Sequence, residues 1–160
     1  MPELSEADRD YNLWALLRQV SDIMFNAREE ELRQYDLPAT QAEVLFVIKT
    51  IGDKVTPAQI SRWIFRRPHS VSGIIDRMAK AGLVRRAKDM DRKNWVRVTL
   101  TEKGQQAYKQ SLKRKSIQKI MASLSEAERQ KLKFLLETLR TKGLKELGID
   151  AKKMPFQKLA

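Results

Sequence analysis

The organisation of this chain is clearest in residues 56–104, which carry the sequence TPAQISRWIFRRPHSVSGIIDRMAKAGLVRRAKDMDRKNWVRVTLTEKG. Local signals predict, in order, a short helix, a tight turn, a second helix and two strands joined by a charged tip. The first helix begins at Thr56, because threonine can cap a helix, Pro57 suits the first helical position and Gln59 can complete a capping box. We expect this helix to end near residue 64 or 65.

The second helix of this unit has equally clear limits. Arg66 and Arg67 form the turn, Pro68 opens the helix, and Gly82 ends it after about Ala81. Two strands are then predicted by alternating apolar and polar residues, at 83–88 and 95–101. The polar tip between them, 89–94, makes this hairpin a candidate wing.

The helix that begins at Pro68 is strongly amphipathic. Placed at about 100° per residue, its apolar residues form one narrow face, which predicts the core side: Val71, Ile74, Ile75 and Met78. Small, polar and basic residues take the opposite face and its flanks: His69, Ser70, Ser72, Gly73, Asp76, Arg77 and Lys80. A helix that enters the DNA major groove by its N-terminal half needs such a surface. The alternative is an ordinary solvated face, or a surface that contacts another protein.

Positive charge is concentrated in the same region. Residues 54–115 hold 17 Lys and Arg against 4 Asp and Glu, whereas the rest of the chain holds 15 against 16, for a total of +12. A small unit that carries almost all the excess charge is typical of nucleic-acid binders. A basic face that only contacts solvent remains the alternative.

The hairpin adds basic residues next to the predicted recognition helix. Arg86 and Lys88 lie on its first strand, and its tip carries Asp91, Arg92 and Lys93. We expect the tip to lie along the DNA backbone or to insert Arg92 into the minor groove, where narrow A·T-rich stretches concentrate negative potential. Because an acidic residue is unfavourable beside DNA, Asp91 is expected to orient a neighbouring arginine. An ordinary solvated turn is the alternative.

Helices are also predicted on both sides of this unit. Apolar residues recur at helical spacing over about 8–35, 39–51, 102–122 and 126–148, and Ser125 begins a capping box for the last of these helices. The apolar face of the first helix is wider than one small neighbour covers, so part of it is expected to meet a second subunit. Residues 149–160 form a tail without periodicity. The expected fold is therefore mainly α-helical, with one antiparallel hairpin, in a single domain of 160 residues.

Composition excludes several classes of function. The chain has no cysteine, so disulfides, thiolate metal sites and cysteine redox switches are absent. A single histidine leaves no plausible metal site, and no Gly-rich phosphate loop or nucleophile motif is present. We therefore expect no enzyme activity, no cofactor and no metal. The polar N-terminus and the lack of a long apolar run predict a cytoplasmic protein with no membrane partner.

These residues resemble the MarR family of winged helix-turn-helix transcriptional regulators. The matching positions are Leu37, Gln41, Val44-Leu45, Ile60-Ser61, Ser70-Val71-Ser72, Ile74 to Met78, Gly82 to Arg86, Asp91-Arg92 and Val98 to Gly104. The resemblance covers about residues 10–147. It implies a homodimer, with dimerisation helices at about 8–35 and 102–148 and a DNA-binding region at about 37–101.

The charge pattern and the resemblance together predict the residues of the double-stranded DNA site; the resemblance implies Arg92, Arg77 and the stretch 68–73. In the recognition helix and its turn they are Arg66, Arg67, Pro68, His69, Ser70, Ser72, Gly73 and Arg77. In the wing the site residues are Arg86, Lys88, Asp91, Arg92 and Lys93, of which Asp91 is expected to orient a neighbouring arginine rather than to touch the DNA. Many members of the family release DNA when a small aromatic or anionic effector binds. Trp14 and Arg18, one turn apart on the first helix, are candidate effector contacts, although a place in the core or the dimer interface is the simpler role for Trp14.

The sequence thus predicts a dimeric regulator, expected to be a repressor, that reads a pseudo-palindromic operator in double-stranded DNA. The alternative function is a winged-helix protein that coats DNA without sequence choice or serves as a protein-interaction module. Strong preference over competitor DNA separates the first function from the second.

Overall fold

A computed structural model of the protein describes residues 3–88, 91–92 and 95–155. Its helices are α1 (Glu6–Leu32), α2 (Ala39–Ile51), α3 (Pro57–Trp63), α4 (Pro68–Lys80), α5 (Glu102–Ser111), α6 (Lys115–Met121) and α7 (Glu126–Glu146). Strands β1 (Val84–Lys88) and β2 (Val96–Leu100) pair as an antiparallel hairpin between α4 and α5. This architecture confirms the predicted fold class, a mainly helical chain with a hairpin wing.

The predicted helix limits of the central unit follow from local hydrogen bonds. The Gln59 backbone N–H donates to Thr56 Oγ1, and Gln59 Oε1 accepts from the Thr56 N–H at 2.9 Å, so the capping box forms as expected. The same arrangement joins Ser125 and Glu128 at the start of α7. Gly82 follows α4 with φ of +75°, a conformation that glycine adopts without steric cost. These boundaries are therefore local properties of the sequence.

A continuous apolar core joins α2, α3, α4 and the hairpin. Fully buried side chains come from each of these elements and from the loop before α3: Val44, Leu45, Val55, Ile60, Val71, Ile75, Met78 and Val98. The Val98 N–H donates to the Val55 carbonyl at 2.9 Å, which ties β2 to the segment that precedes α3. All four apolar residues predicted on the inner face of α4 are buried. The core thereby fixes which face of α4 points outward.

In contrast, α1 and α7 leave many apolar side chains uncovered. On α1, Leu13, Leu16, Val20 and Ile23 are 42% to 57% exposed. On α7, the exposed apolar side chains are Phe134, Leu135, Leu136 and Leu139. The chain on its own therefore does not cover the wide apolar face that the sequence indicated.

One predicted helix is wrong. The sequence indicated a continuous helix over 102–122, but the structure divides it into α5 and α6, with Arg114 between them in the left-handed region at φ of +49°. No glycine or proline lies at this break, which is why local sequence signals did not reveal it. Contacts from α1 supply the physical reason, as shown below.

Within the described residues the tail is joined to α7 by hydrogen bonds, one of them from the Ile149 N–H to the Leu144 carbonyl at 2.9 Å. A short 3-10 turn spans Ala151–Lys153, and the Arg140 guanidinium donates to the Met154 carbonyl at 2.7 Å. Residues 156–160 of the predicted tail lie outside the described part of the chain.

Candidate nucleic-acid interface

The outward face of α4 has the composition that the sequence predicted. His69, Ser70, Ser72 and Arg77 are exposed, and Gly73 is half-buried. A Cβ atom added at Gly73 would contact only the Arg77 guanidinium, at 3.5 Å. The backbone of α4 is therefore accessible at its N-terminal half, as close approach to a groove requires.

The turn before α4 presents two guanidinium groups. Arg66 and Arg67 are exposed, and Pro68 occupies the first position of the helix. The Arg66 N–H donates to the Ser61 carbonyl at 3.1 Å, and the Ser61 hydroxyl donates to the Arg66 carbonyl, so the turn is pinned to α3. Phe65 begins it in the left-handed region, at φ of +50°. A turn held in this way presents its charges in a defined position.

These residues border a shallow hollow of about 380 Å³. It is lined by Thr40, Arg66, His69, Ser70, Gly73, Ile74 and Arg77. Two guanidinium groups, an imidazole and two hydroxyls thus converge on one concave surface. Such groups donate hydrogen bonds to phosphate oxygens and to base edges. The structure therefore brings five residues of the predicted recognition set, among them Arg66 and Arg77, to one place, and Ser72 to the exposed flank.

Arg86 has a different environment from the one expected of a DNA contact. Its guanidinium forms an ion pair with Asp76 of α4 and lies 3.4 Å from the Ser72 carbonyl. The hydrogen bond from Arg86, together with nearby positive charges, holds the pKa of Asp76 below its ordinary value. Arg86 thus joins the first wing strand to the recognition helix and fixes their relative position.

At the wing tip, Asp91 and Arg92 are exposed. The Arg92 guanidinium lies over the Trp95 ring, 4.6 Å from its centroid, a stacking geometry typical of cation–π contacts. An Asp91 carboxylate oxygen lies 4.0 Å from an Arg97 guanidinium nitrogen, so Asp91 does pair with a neighbouring arginine. Lys88 is exposed at the end of β1, whereas the predicted contact Lys93 lies outside the described residues.

The two candidate effector contacts on α1 each contact a different neighbour on the same helix. The Trp14 ring stacks on Tyr11, with centroids 5.7 Å apart, and is 56% exposed. Arg18 extends toward Asp22, at 3.9 Å, and both side chains are mostly in solvent. Neither Trp14 nor Arg18 lines the cavity described next.

Helices α2, α3 and α4 together with the hairpin form the winged unit. A cavity of about 560 Å³ lies between this unit and α7. Its walls come from α2, the end of α3 and its turn, α7 and the tail: Glu43, Val47, Arg62, Trp63, Ile64, Phe65, Arg140, Gly143, Leu144, Leu147, Met154 and Pro155. The walls are mainly apolar, with two guanidinium groups and one carboxyl. Glu43 is solvent-exposed at the edge of this recess, where partial loss of hydration raises the pKa of its carboxyl and the charge of Arg66 opposes that rise. Sequence reasoning missed this site because its residues come from four separate segments.

Among residues 3–88, 91–92 and 95–155, no group of three or more His, Asp or Glu side chains is placed to hold a metal ion. Within the same residues, no helix is long and apolar enough to cross a membrane.

Comparisons with known proteins agree with this geometry. A sequence profile of the MarR family matches residues 35–93, which span α2, α3, α4 and most of the wing. The organohalide-sensing transcriptional regulator RdhR-CbdbA1625, solved with 2,4-dichlorophenol bound, is 28% identical, with a TM-score of 0.85 over 100% of this chain and 96% of its own. No curated protein sequence matches this chain significantly.

Two solved structures with DNA share the fold at lower identity. A cysteine-to-serine mutant of MarR from E. coli, complexed with operator DNA, is 22% identical, with a TM-score of 0.78 over 85% of this chain and 99% of its own. The MepR–DNA complex from S. aureus is 22% identical, with a TM-score of 0.70 over 79% of this chain and 93% of its own.

The fold and the basic surface around α4 define a winged helix-turn-helix protein. The profile match over residues 35–93 and the structural neighbours confirm the resemblance that the sequence indicated, to transcriptional regulators of the MarR family.

Proposed function

We propose that this protein is a homodimeric regulator that binds a pseudo-palindromic operator in double-stranded DNA and represses transcription. The observation that carries the proposal is the hollow on α4, where Arg66, His69, Ser70 and Arg77 converge beside an accessible backbone. A helix that presents such groups at its N-terminal half fits the major groove. The E. coli and S. aureus neighbours with this fold were solved with DNA.

The uncovered faces of α1 and α7 support the dimer. Apolar side chains that are at least 42% exposed, several on each helix, are what an interaction surface presents before its partner covers it. A second copy of the chain would bury both faces, and two-fold symmetry would place two α4 helices on one side of the dimer. This symmetry is what a pseudo-palindromic operator requires.

Within each half-site we assign different roles to the basic residues. Arg66 and Arg67, at the turn, would contact phosphates, while His69, Ser70, Ser72 and Gly73 would face base edges. Arg92 would contact the minor groove or the adjacent backbone, with Trp95 supporting its guanidinium. Arg86 would act indirectly, because its ion pair with Asp76 holds the wing against α4.

We place the effector in the cavity beside α7 rather than at Trp14 and Arg18. A cavity of about 560 Å³ is large enough for a small molecule. Its apolar walls with Arg62 and Arg140 favour an aromatic compound that carries a weakly acidic or anionic group. The RdhR neighbour, which matches this chain over its whole length, was solved with a chlorinated phenol. Phe65 lines the cavity and directly precedes Arg66, so a bound ligand would act on the phosphate-contacting turn.

The test of this function is selection of bound sequences from random duplex DNA by the purified full chain. Recovery of a palindrome of roughly 16 to 20 base pairs, with half-sites about one helical turn apart, is expected of a dimer. Recovery of no shared motif, together with binding that collapses as salt rises, would support the alternative of non-specific DNA coating. Failure to bind DNA at all would favour a protein-interaction module.

The wing assignment is tested by Arg92→Ala. We expect roughly a tenfold loss of affinity for the selected operator, because one contact to the negative backbone is removed. The slope of log affinity against log salt concentration should also be smaller by about one. Lys131→Ala, which removes an exposed charge on α7, is the matched control and should leave both quantities unchanged. Equal operator affinity of the Arg92 variant and the wild type across salt would contradict the wing assignment.

A further inference from the structure

The break between α5 and α6 lies where the chain leaves the winged unit. Helix α5 packs against α2 and β2, whereas α6 packs against α1. The three residues between them, Leu112 to Arg114, therefore join the DNA-reading unit to the helices that we assign to the dimer. This junction is one of two covalent connections, with the segment between α1 and α2, through which the direction of α4 relative to those helices can be set.

Two residues of α1, one turn apart, hold both sides of the break. Arg28 Nη2 donates to the Ser111 carbonyl at 2.6 Å, at the C-terminal end of α5. The Glu31 carboxylate accepts from the backbone N–H groups of Lys115 and Ser116, at 2.5 and 3.2 Å, at the first turn of α6. It also accepts from the Ser116 hydroxyl at 2.5 Å. The same carboxylate accepts from Arg28 Nη1 at 2.9 Å, so the two caps form one unit, the Arg28–Glu31 clamp.

The charges of this clamp match the two helix ends. A cation is favourable at the C-terminal end of a helix and an anion at the N-terminal end. Arg114, which precedes α6, makes no side-chain capping hydrogen bond within the described residues, so Glu31 supplies the cap from a distant part of the chain. Burial of the Glu31 carboxyl is outweighed by its hydrogen bonds to Ser116, Arg28 and Lys115, which lower its pKa to about 2.

Neighbouring contacts attach the clamp to the winged unit. Glu29, between the clamp residues on α1, accepts from the Ala39 N–H at 2.8 Å and so caps the start of α2. The Arg114 guanidinium lies over the Phe46 ring of α2, 5.4 Å from its centroid. The end of α1 therefore holds the ends of α2, α5 and α6 at once.

We propose that the Arg28–Glu31 clamp sets the orientation of the winged unit relative to α1 and α6, and thereby the half-site spacing that the dimer accepts. The inference rests on the proposed DNA-binding function. Both residues are positioning residues, because neither lies on the face of α4 that would meet DNA. Without the clamp, the Ser111 carbonyl at the end of α5 loses its guanidinium donor and the first N–H groups of α6 lose their carboxylate acceptor, and the winged unit takes a wider range of orientations.

The first experiment measures binding of Glu31→Ala to operators whose half-site spacing is changed by one and two base pairs. We expect the wild type to bind one spacing most tightly. The ratio of its affinity for that spacing to its affinity for the altered spacings should be roughly tenfold smaller in the variant, since spacing follows from the geometry of the dimer. Glu31→Gln keeps an acceptor oxygen but loses the charge, so its spacing preference should lie between those of the wild type and Glu31→Ala. Glu30→Ala, which removes an exposed ion pair with Arg33 on the same helix, is the matched control and should keep the wild-type preference.

The exchanged pair, Arg28→Glu with Glu31→Arg, separates capping from simple ion pairing. The exchange keeps an ion pair at the same spacing on α1, but it puts each charge at the wrong helix end. We expect it to lose spacing preference as Glu31→Ala does. A wild-type preference in the exchanged variant would overturn the capping role.

Distance measurements make the inference independent of DNA. Because the chain has no cysteine, Asp53→Cys in the winged unit and Lys119→Cys on α6 provide unique sites for two nitroxide labels. In labelled protein diluted with unlabelled chains, the distance distribution should be narrow for the wild type and at least twice as broad for Glu31→Ala. An unchanged distribution would overturn the inference, whereas a broadened one in a protein that selects no operator would refute only the proposed function.

Discussion

The winged unit buries its apolar residues, whereas helices α1 and α7 leave many of theirs exposed. In the winged unit, Val71, Ile75 and Met78 are fully buried and the outward surface is basic. On α1 and α7, Ile23 and Leu139 are more than half exposed although both lie on long helices. Because both regions are amphipathic, the difference arises from what covers them: the core of the same chain in one case and, in our proposal, a second copy in the other.

Because of this difference, substitutions in the two regions should change two different properties, the stability of the folded chain and the formation of the dimer. Substitutions in the winged unit should change the free energy of unfolding of the chain itself, because its core contacts are intramolecular. Substitutions on the exposed faces of α1 and α7 should act through the dimer, so that their effect depends on protein concentration. Three predictions test this separation, in order of decreasing effect.

The largest effect is expected from Gly104→Ala at the start of α5. A Cβ atom there would lie 2.0 Å from the Leu83 carbonyl oxygen, a backbone atom that also accepts from the Thr101 N–H. Backbone atoms cannot move aside as a flexible side chain can, so we expect a loss of about 3 kcal/mol or more in the free energy of unfolding. Urea denaturation followed by circular dichroism measures it.

Gly73→Ala is the matched control, because it is also a helix glycine but its added Cβ has room. Alanine favours helix over glycine by about 1 kcal/mol, so this variant should be as stable as the wild type or slightly more stable. Its operator affinity should fall, since the new methyl group lies on the face that approaches DNA. Similar stability of the two alanine variants would contradict the packing argument for Gly104.

The second effect concerns the exposed face of α1. Ile23→Glu places a charge within the apolar surface that a second copy is proposed to cover, and should weaken the dimer by about 2 kcal/mol or more. Sedimentation equilibrium measures the dissociation constant. Asp22→Ala, next to it in sequence and exposed, is the control. An Ile23 variant that dimerises as tightly as the wild type would exclude this part of α1 from the interface.

The smallest effect is the acid sensitivity of the Arg28–Glu31 clamp. The pKa of Glu31 is lowered from 4.5 to about 2 in the folded chain, so its contribution is complete above pH 4.5 and is lost as the pH falls toward 2. Between these limits, the free energy of unfolding of the wild type should fall by about 2 kcal/mol more than that of Glu31→Gln. Parallel pH profiles of the two proteins would show that Glu31 titrates normally and that the cap contributes nothing.

Much of the winged unit could be predicted because its signals are local. Thr56 and Gln59 form the predicted capping box, Gly82 ends α4, and the four apolar residues of α4 are buried as their spacing indicated. The exposed positions of Arg66, Arg67 and Arg77 around α4 followed from charge and helical phase. The ion pair of Arg86 with Asp76 could not be predicted, because it depends on how the hairpin folds against α4.

The order of the elements up to the wing, the inner and outer faces of α4 and the concentration of positive charge around it follow from local sequence, since caps, turns and periodicity act over a few residues. Contacts between distant segments account for the break in the helix after the wing, for the capping of both sides of that break by Arg28 and Glu31 from more than 80 positions away, and for the cavity that four segments enclose beside α7. A helix end capped by a distant carboxylate leaves no local signature, because the stabilising contact exists only after the chain has folded.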